Sequence, residues 1–492
     1  MTDRPVKAVP GPAVPATEAG LRPNAIGLAQ DTIIGMATSA PAGTVAATLA
    51  ALAAATAYGG GAVLLVTAIP MLVIANAYRR CNLWNANAGA SFEWVGRAIN
   101  PYLGFLTGWT MVLGYVITTV AEVVVLAPSV LQIWGSNSTS TWQSVGIDVG
   151  LVLVMLVVAI VGIRLTARVQ VGMALVEYTV LIGLSIAGLV IVLAGHHAGA
   201  MHFSSSWLSV SGIGGKGSLA AGLLISVYIY SGWDASVYVN EETRGRRVNP
   251  GRAVMLATAL LAIIYILAQV GLQGVVKPAA LQAHVTTAMI YAAQAIGGGT
   301  WAKIMALAIA LSVIGATGTG IVIVSRLVYG MSTRDVLPRS LSNVSPRFNT
   351  PVLASVIAGL LIIAVITVDL TAAGLSNIFS DVVGVSGLLF TIFYVMTGLA
   401  MMVYYRTRVF AGVVDFLTIG LLPAASIVLL GWVFAKTITQ VPVGEVYTVL
   451  GVLGTGIVVM ILERVLRNPE FFRIEREKYT RQSRQSAGGS QA

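Results

Sequence analysis

What most constrains this chain is the recurrence of uninterrupted apolar runs, each about 20 residues long and so able to cross a bilayer as a helix. Twelve are predicted, near residues 26–55, 61–78, 102–131, 145–163, 170–194, 218–240, 252–274, 303–331, 352–369, 376–404, 412–435 and 445–466. They are too long and too evenly apolar for barrel strands, whose residues alternate. Helices satisfy their own backbone polar groups, as lipid demands. Only 10% of residues are charged, against about 25% in soluble chains. The expected fold is therefore an all-α integral membrane protein with twelve transmembrane helices.

Charge placement orients the helices. With the N-terminus inside, the tails and the stretches 79–97, 164–168, 244–252, 326–347 and 406–408 hold 25 of the 29 lysines and arginines. Lys216, Lys277, Lys303 and Lys436 fall outside. This asymmetry follows the positive-inside rule and puts both termini in the cytoplasm. The net charge of +10 is thus a topological signal rather than one for nucleic acid. Residues 1–23 form a polar cytoplasmic tail without the order of a cleavable signal. The basic tail 467–492 either lies on the anionic inner leaflet or is solvated. Short amphipathic helices are expected at 85–99 inside and 279–296 outside.

No enzyme is expected, because the sequence has no phosphate loop, nucleophile elbow or zinc-protease helix. Cys81 is a lone cysteine, which leaves no disulfide framework. His196, His197, His202 and His284 lie on the outer side without the spacing of a metal site. No cofactor or resident metal is predicted.

Two runs carry interruptions near mid-membrane. In the sixth, Tyr230-Ser231-Gly232-Trp233-Asp234 places a flexible pair between aromatics and then an acid. An acid at that depth is costly unless it faces protein, water or a partner. Gly232 permits the helix to open. In the first run, Gly35, Gly43 and Pro41 allow a break, since proline removes a donor and clashes with the turn before it. Paired interruptions in two halves point to an inverted-repeat transporter site. Ordinary use of Gly and Pro in membrane helices is the competing account.

Several motifs in order sharpen this. Residues 77–109 (AYRRCNLWNANAGASFEWVGRAINPYLGFLTGW) contain Ala88-Gly89, Phe92, Asn100-Pro101, Gly104-Phe105 and Gly108-Trp109. Ser325-Arg326-Leu327-Val328-Tyr329-Gly330-Met331 follows later, then Arg334-Asp335, Leu337-Pro338, Pro346-Arg347-Phe348 and Thr350-Pro351. With Tyr230-Ser231-Gly232-Trp233-Asp234, Glu241-Glu242 and Asn249-Pro250, these resemble the amino acid, polyamine and organocation (APC) superfamily, from about residue 24 to 405. Asn100-Pro101 stands where the family has Gly-Pro.

The resemblance implies a LeuT-type core of two inverted five-helix repeats in residues 24–404, followed by helices 11 and 12 in 405–466. It also implies a substrate site between helices 1, 3, 6, 8 and 10. Broken half-helices suit such a site, offering amides and a positive dipole end to a carboxylate and carbonyls to an ammonium. The helix 1 frame stays open: Ile33-Ile34-Gly35-Met36-Ala37 fits the family pattern with Ala37 for a glycine, whereas Ser39-Ala40-Pro41-Ala42-Gly43 is the better physical break. Tyr230, Ser231, Gly232, Trp233 and Asp234 line the other side. Trp233 takes the family's aromatic gate position, with plain packing as the alternative. Tyr115 and Thr118 on helix 3 face the cavity, lipid or a neighbouring helix.

Aligning Ala167-Arg168-Val169-Gln170 puts Glu177 where sodium-independent relatives often have a helix 5 lysine. Glu177 then carries a proton, helps to hold a cation, or pairs structurally. Glu122 and Asp31 are further membrane acids with no deep basic partner, which favours protons or cationic solutes. Thr317, with Ser312 and Thr319 on helix 8, offers oxygens to a coupling ion or packs helices closely. The implied function is secondary active import of an amino acid or related amine across the cytoplasmic membrane by alternating access, coupled to a proton, with sodium as the other candidate ion. An exchanger or exporter on the same fold, or a solute-binding sensor, is the alternative.

Overall fold

The computed structural model describes residues 20–135, 140–194, 201–213, 215–284, 287–372 and 375–474, with no side-chain description for 212, 215–217 and 375–381. The expectations for the extremities of both tails, and those for His196 and His197, lie outside these residues. Among the described residues the chain is helical, without a strand, and has one isolated bridge between Ile26 and Thr243.

The first span is two helices, α1 (Leu28–Thr38) and α2 (Pro41–Thr56). Ala40 joins them in the left-handed region (φ 41°). A residue before proline is pushed out of the right-handed helical well, and Pro41 begins α2 where its missing N–H costs nothing. Then come α3 (Gly60–Trp84), the short cytoplasmic α4 (Ser91–Ala98) and α5 (Pro101–Val123), which continues into α6 (Leu126–Ile133). α7 (Thr141–Val161) and α8 (Ile163–Ala194) are separated by Gly162 alone, at φ 128°. Arg164 and Arg168 therefore sit in the first turns of α8, not in the loop expected there.

The sixth span is broken, with α9 (Gly215–Ile229) separated from the single turn α10 (Ala235–Tyr238). α11 (Asn249–Val275), α12 (Pro278–Ala283) and α13 (Ala288–Ser332) follow. α13 bends at Gly297–Gly298, where Gly298 takes φ 76°. The outer helix expected at 279–296 is thus α12 plus the first two turns of α13. The set closes with α14 (Val352–Ala372), α15 (Leu375–Tyr404), α16 (Val413–Asp415), α17 (Leu422–Thr437) and α18 (Val443–Leu466). A π-helical turn over Phe416–Leu421 fuses α16 and α17 into one span, Val413–Thr437.

Among the described residues, eleven helices are long and apolar enough to cross a membrane. The sixth predicted run instead contributes the shorter Ser218–Ile229. The difference from twelve is physical. The joint in the first run takes two residues, Ser39 and Ala40, between two helices. The sixth run instead ends its helix at Ile229 and resumes only as the single turn α10, leaving no stretch of spanning length.

Burial sorts these helices into a core and a rim. α1, α2 and α13 are almost wholly enclosed, whereas α17 and α18 are mostly exposed and apolar. Exposed Ile461, Leu450 and Val428 are what a lipid-facing surface requires. Trp134 and Trp142, exposed at the ends of α6 and α7, suit the membrane interface. Small residues let the core helices close up. A Cβ on Gly271 would meet the Ser185 carbonyl oxygen at 2.2 Å, so α11 and α8 touch backbone to backbone.

Candidate functional site

The breaks in α1–α2 and α9–α10 meet. Gly232 has φ 100°, and a Cβ there would sit 2.8 Å from the Ser39 amide nitrogen. Gly35 is equally hemmed in, its Cβ position lying 2.9 Å from the Trp233 carbonyl oxygen. Glycine at both positions lets the opened helix 6 backbone approach helix 1 with no side chain between them.

The groups freed by the helix 1 break have specific partners. The Ser39 carbonyl accepts from Thr44 Oγ1 (2.7 Å) and from the Tyr265 hydroxyl (3.0 Å). The Ala42 amide donates to Glu177 Oε1 at 2.9 Å. The Gly43 amide donates to Ser312 Oγ (3.1 Å), which donates in turn to the same Glu177 oxygen (2.7 Å). The positive end of α2 is thus met by a carboxylate from α8 and a hydroxyl from α13. Ala37, Ala40, Pro41, Ala42 and Gly43 are all buried.

On the other side, Asp234 is fully buried among tyrosines. Tyr115 and Tyr394 donate to its Oδ1 at 2.8 and 3.0 Å, and Tyr238 donates to its Oδ2. Trp233 is also fully buried, stacked on Tyr394 at 5.2 Å and edge-on to Tyr78 at 5.1 Å. Its indole N–H has no partner among the described residues. Ser231 turns its hydroxyl to the Tyr228 carbonyl (2.6 Å), and Tyr230 donates to Leu64 O (3.1 Å) while its ring meets Tyr265.

The sequence-predicted residues therefore divide. Gly35 and Ser39 meet the helix 6 break, Gly43 faces Ser312 and Val313 of α13, and Tyr115 reaches Asp234. Glu177 reaches the helix 1 amides. Glu122, four residues beyond Thr118 on α5, is buried within electrostatic reach of Glu177. Thr317 turns its hydroxyl back to Val313 O (2.7 Å) on its own helix; the α13 hydroxyl that meets Glu177 is that of Ser312. Sequence reasoning did not single out Tyr238, Tyr394, Tyr265 or Tyr78. Tyr238 had a signal, lying one helical turn after Asp234; the other three come from distant helices.

Toward the end rich in arginine, a buried network joins the two broken helices to α13. Arg326 and Glu242, both wholly buried, pair through two 3.0 Å contacts. The Ala25 and Ile26 amides donate to the Glu242 carbonyl, and the Arg244 amide donates to Ile26 O. Glu93 of α4 is held by Arg97 and Arg334. Among the described residues, no three His, Cys, Asp or Glu side chains are grouped to hold a metal.

The amino acid permease family profile matches residues 28–462. The chain belongs to the amino acid permease family. Relatives of this permease include the human Asc-type amino acid transporter 1, 25% identical over 304 residues that make up 60% of the chain and 54% of that protein. An uncharacterized transporter of Mycobacterium tuberculosis is 25% identical over 353 residues, 71% and 75% of the two chains. The Escherichia coli D-serine/D-alanine/glycine transporter is 22% identical over 260 residues, 51% and 53%. The match therefore spans only about half the length of the human and Escherichia coli relatives.

Among solved structures, a manganese transporter of Eremococcus coleocola superposes with a TM-score of 0.57 at 12% identity, covering 89% of this permease and 94% of that chain. MhsT in complex with L-phenylalanine gives 0.57 at 14%, covering 84% and 100%. At such identities the likeness concerns the fold, which is LeuT-type: an all-helical membrane protein whose first and sixth spans are interrupted.

Proposed function

We propose that this permease is a secondary active transporter that imports amino acids or related amines across the cytoplasmic membrane, coupled to protons. The observation that carries the proposal is the junction of two opened helices, with Gly232 against Ser39, beside a buried acid that holds the helix 1 amides. Opened backbone at membrane depth is tolerated where protein or a solute covers it. The relatives named for amino acids support that solute class.

In this reading, both termini are cytoplasmic and the solute binds between helices 1, 3, 6, 8 and 10. The unit containing helices 1 and 6 rocks against the rest, with Trp233 as the aromatic gate. Asp234 and Tyr115 fix that gate's surroundings, and Glu177, with Glu122 beside it, carries the proton. Buried acids with no basic partner nearby suit a proton or an ammonium group.

The test is uptake by proteoliposomes across a panel of amino acids and amines, with proton and sodium gradients imposed separately. Accumulation of at least one amino acid under an inward proton gradient is expected. Uptake that follows sodium alone would remove the proton, and no uptake of any solute would remove the transporter reading.

A further inference from the structure

The N-terminus of α2 is an anion site by construction. Its first amides have no partner within the helix, and its dipole favours negative charge. That site is filled by a side chain of this protein: Glu177 Oε1 takes the Ala42 amide at 2.9 Å and the Ser312 hydroxyl at 2.7 Å. Ser312 in turn covers the Gly43 amide. A solute carboxylate that uses these amides must first displace Glu177.

A second observation gives a displaced Glu177 one candidate partner. The hydroxyls of Tyr178, Tyr228 and Thr118 are buried and have no hydrogen-bond partner among the described residues. Tyr178 lies within electrostatic reach of Glu177, and Tyr228 within reach of Glu122. Of the three, the Tyr178 hydroxyl is the one next to Glu177 on α8; leaving it unpaired is costly, and a neutral carboxyl that turned to it would satisfy it.

We propose that Glu177 is a tethered stand-in for the solute's own carboxylate, holding the Ala42 amide directly and the Gly43 amide through Ser312 in the conformation described, and yielding them as a neutral acid when an amino acid binds. The inference rests on the transporter reading and specifies its solute as one that carries a carboxylate. In the exchange, Glu177 loses the Ala42 amide and gains one proton, taken from the water on the side to which the site is open. The solute carboxylate gains the amide, so one negative charge faces α2 before and after. The titratable groups that face Glu177 are Glu122 on α5, Tyr178 on its own helix and Tyr265 on α11, with Tyr228 and Tyr230 on the helix 6 segment beyond. None is a base that would hold Glu177 ionised.

The test pairs each amino acid with its decarboxylated amine: alanine with ethylamine, lysine with cadaverine, and phenylalanine with phenethylamine. Binding is measured between pH 5.5 and 8.5 on the purified full-length protein, wild type and Glu177→Gln. For the wild type, amino acid affinity should fall about tenfold per pH unit above the titration of Glu177, as linkage to one proton requires. Glu177→Gln keeps an acceptor oxygen of the same reach but no charge, so its affinity should be flat across pH.

Weakly buffered wild type should take up one proton per amino acid bound, a readout that needs no variant. A flat wild-type profile, a slope retained in Glu177→Gln, or binding of amines alone would each overturn the proposal. Each of these outcomes would leave a protein that still binds and carries solute, whereas a wild type that moves no solute at all removes both readings.

Discussion

At the scale of single residues, the site depends on an acid clasped by hydroxyls and a glycine that admits no substitute. Asp234 accepts from three tyrosines, and hydrogen bonds to a charged group contribute roughly 1.5–3 kcal/mol each. Asp234→Asn keeps one oxygen for Tyr115 and Tyr394 but sets an amide donor against the Tyr238 hydroxyl and removes the charge to which all three donate. Uptake should drop about tenfold or more, with the protein still reaching the membrane. Trp233→Ala should lower uptake as well, because it empties the stack between Tyr394 and Tyr78. Unchanged transport in both variants would place the substrate site elsewhere. Gly232→Ala adds a Cβ 2.8 Å from the Ser39 nitrogen in a left-handed conformation that costs other residues roughly 1–2 kcal/mol. Thermal melts in detergent should show it less stable than an alanine replacement at Gly172, where a Cβ meets nothing within 4 Å.

At the scale of elements, the two broken helices are held at the arginine-rich end by a pair that excludes water. Arg326 and Glu242 are both fully buried, and removing one partner from such a pair costs roughly 3–5 kcal/mol because a bare charge remains. Arg326→Met should therefore melt far below the wild type. Arg326→Met combined with Glu242→Gln should recover much of the loss. A double variant no better than the single one would mean that the pair's geometry, rather than the orphaned charge, sets the stability. The same stretch shows why helix 6 did not register as a full span: α9 ends at Ile229, and the chain then exits through α10 into the segment that pairs with Ile26. Arg164 and Arg168 are the other revision. Gly162 at φ 128° turns the chain within one residue, so no loop is needed before α8.

For the whole molecule, α1, α2 and α13 are enclosed, while α17 and α18 form an exposed apolar rim. Orientation is tested at this scale with Cys81, buried and out of reach of reagents. Lys277→Cys should react with an impermeant maleimide on intact cells, while Arg406→Cys should react only after lysis; both positions are exposed on the protein. The reverse pattern would invert the proposed topology.

The sequence by itself determined the class, most of the spans and the two runs in which helices open, though not the frame of the break in helix 1. Each of these is set locally: apolar length for a span, and Pro41 and Gly232 for a break. What meets at the breaks was decided by tertiary structure alone. Glu177 and Ala42 are 135 positions apart, and Asp234 and Tyr394 are 160 apart. No local preference of either residue specifies such a pairing, because only the packing of α8 against α2, and of α15 against the helix 6 segment, brings the donor to the acceptor.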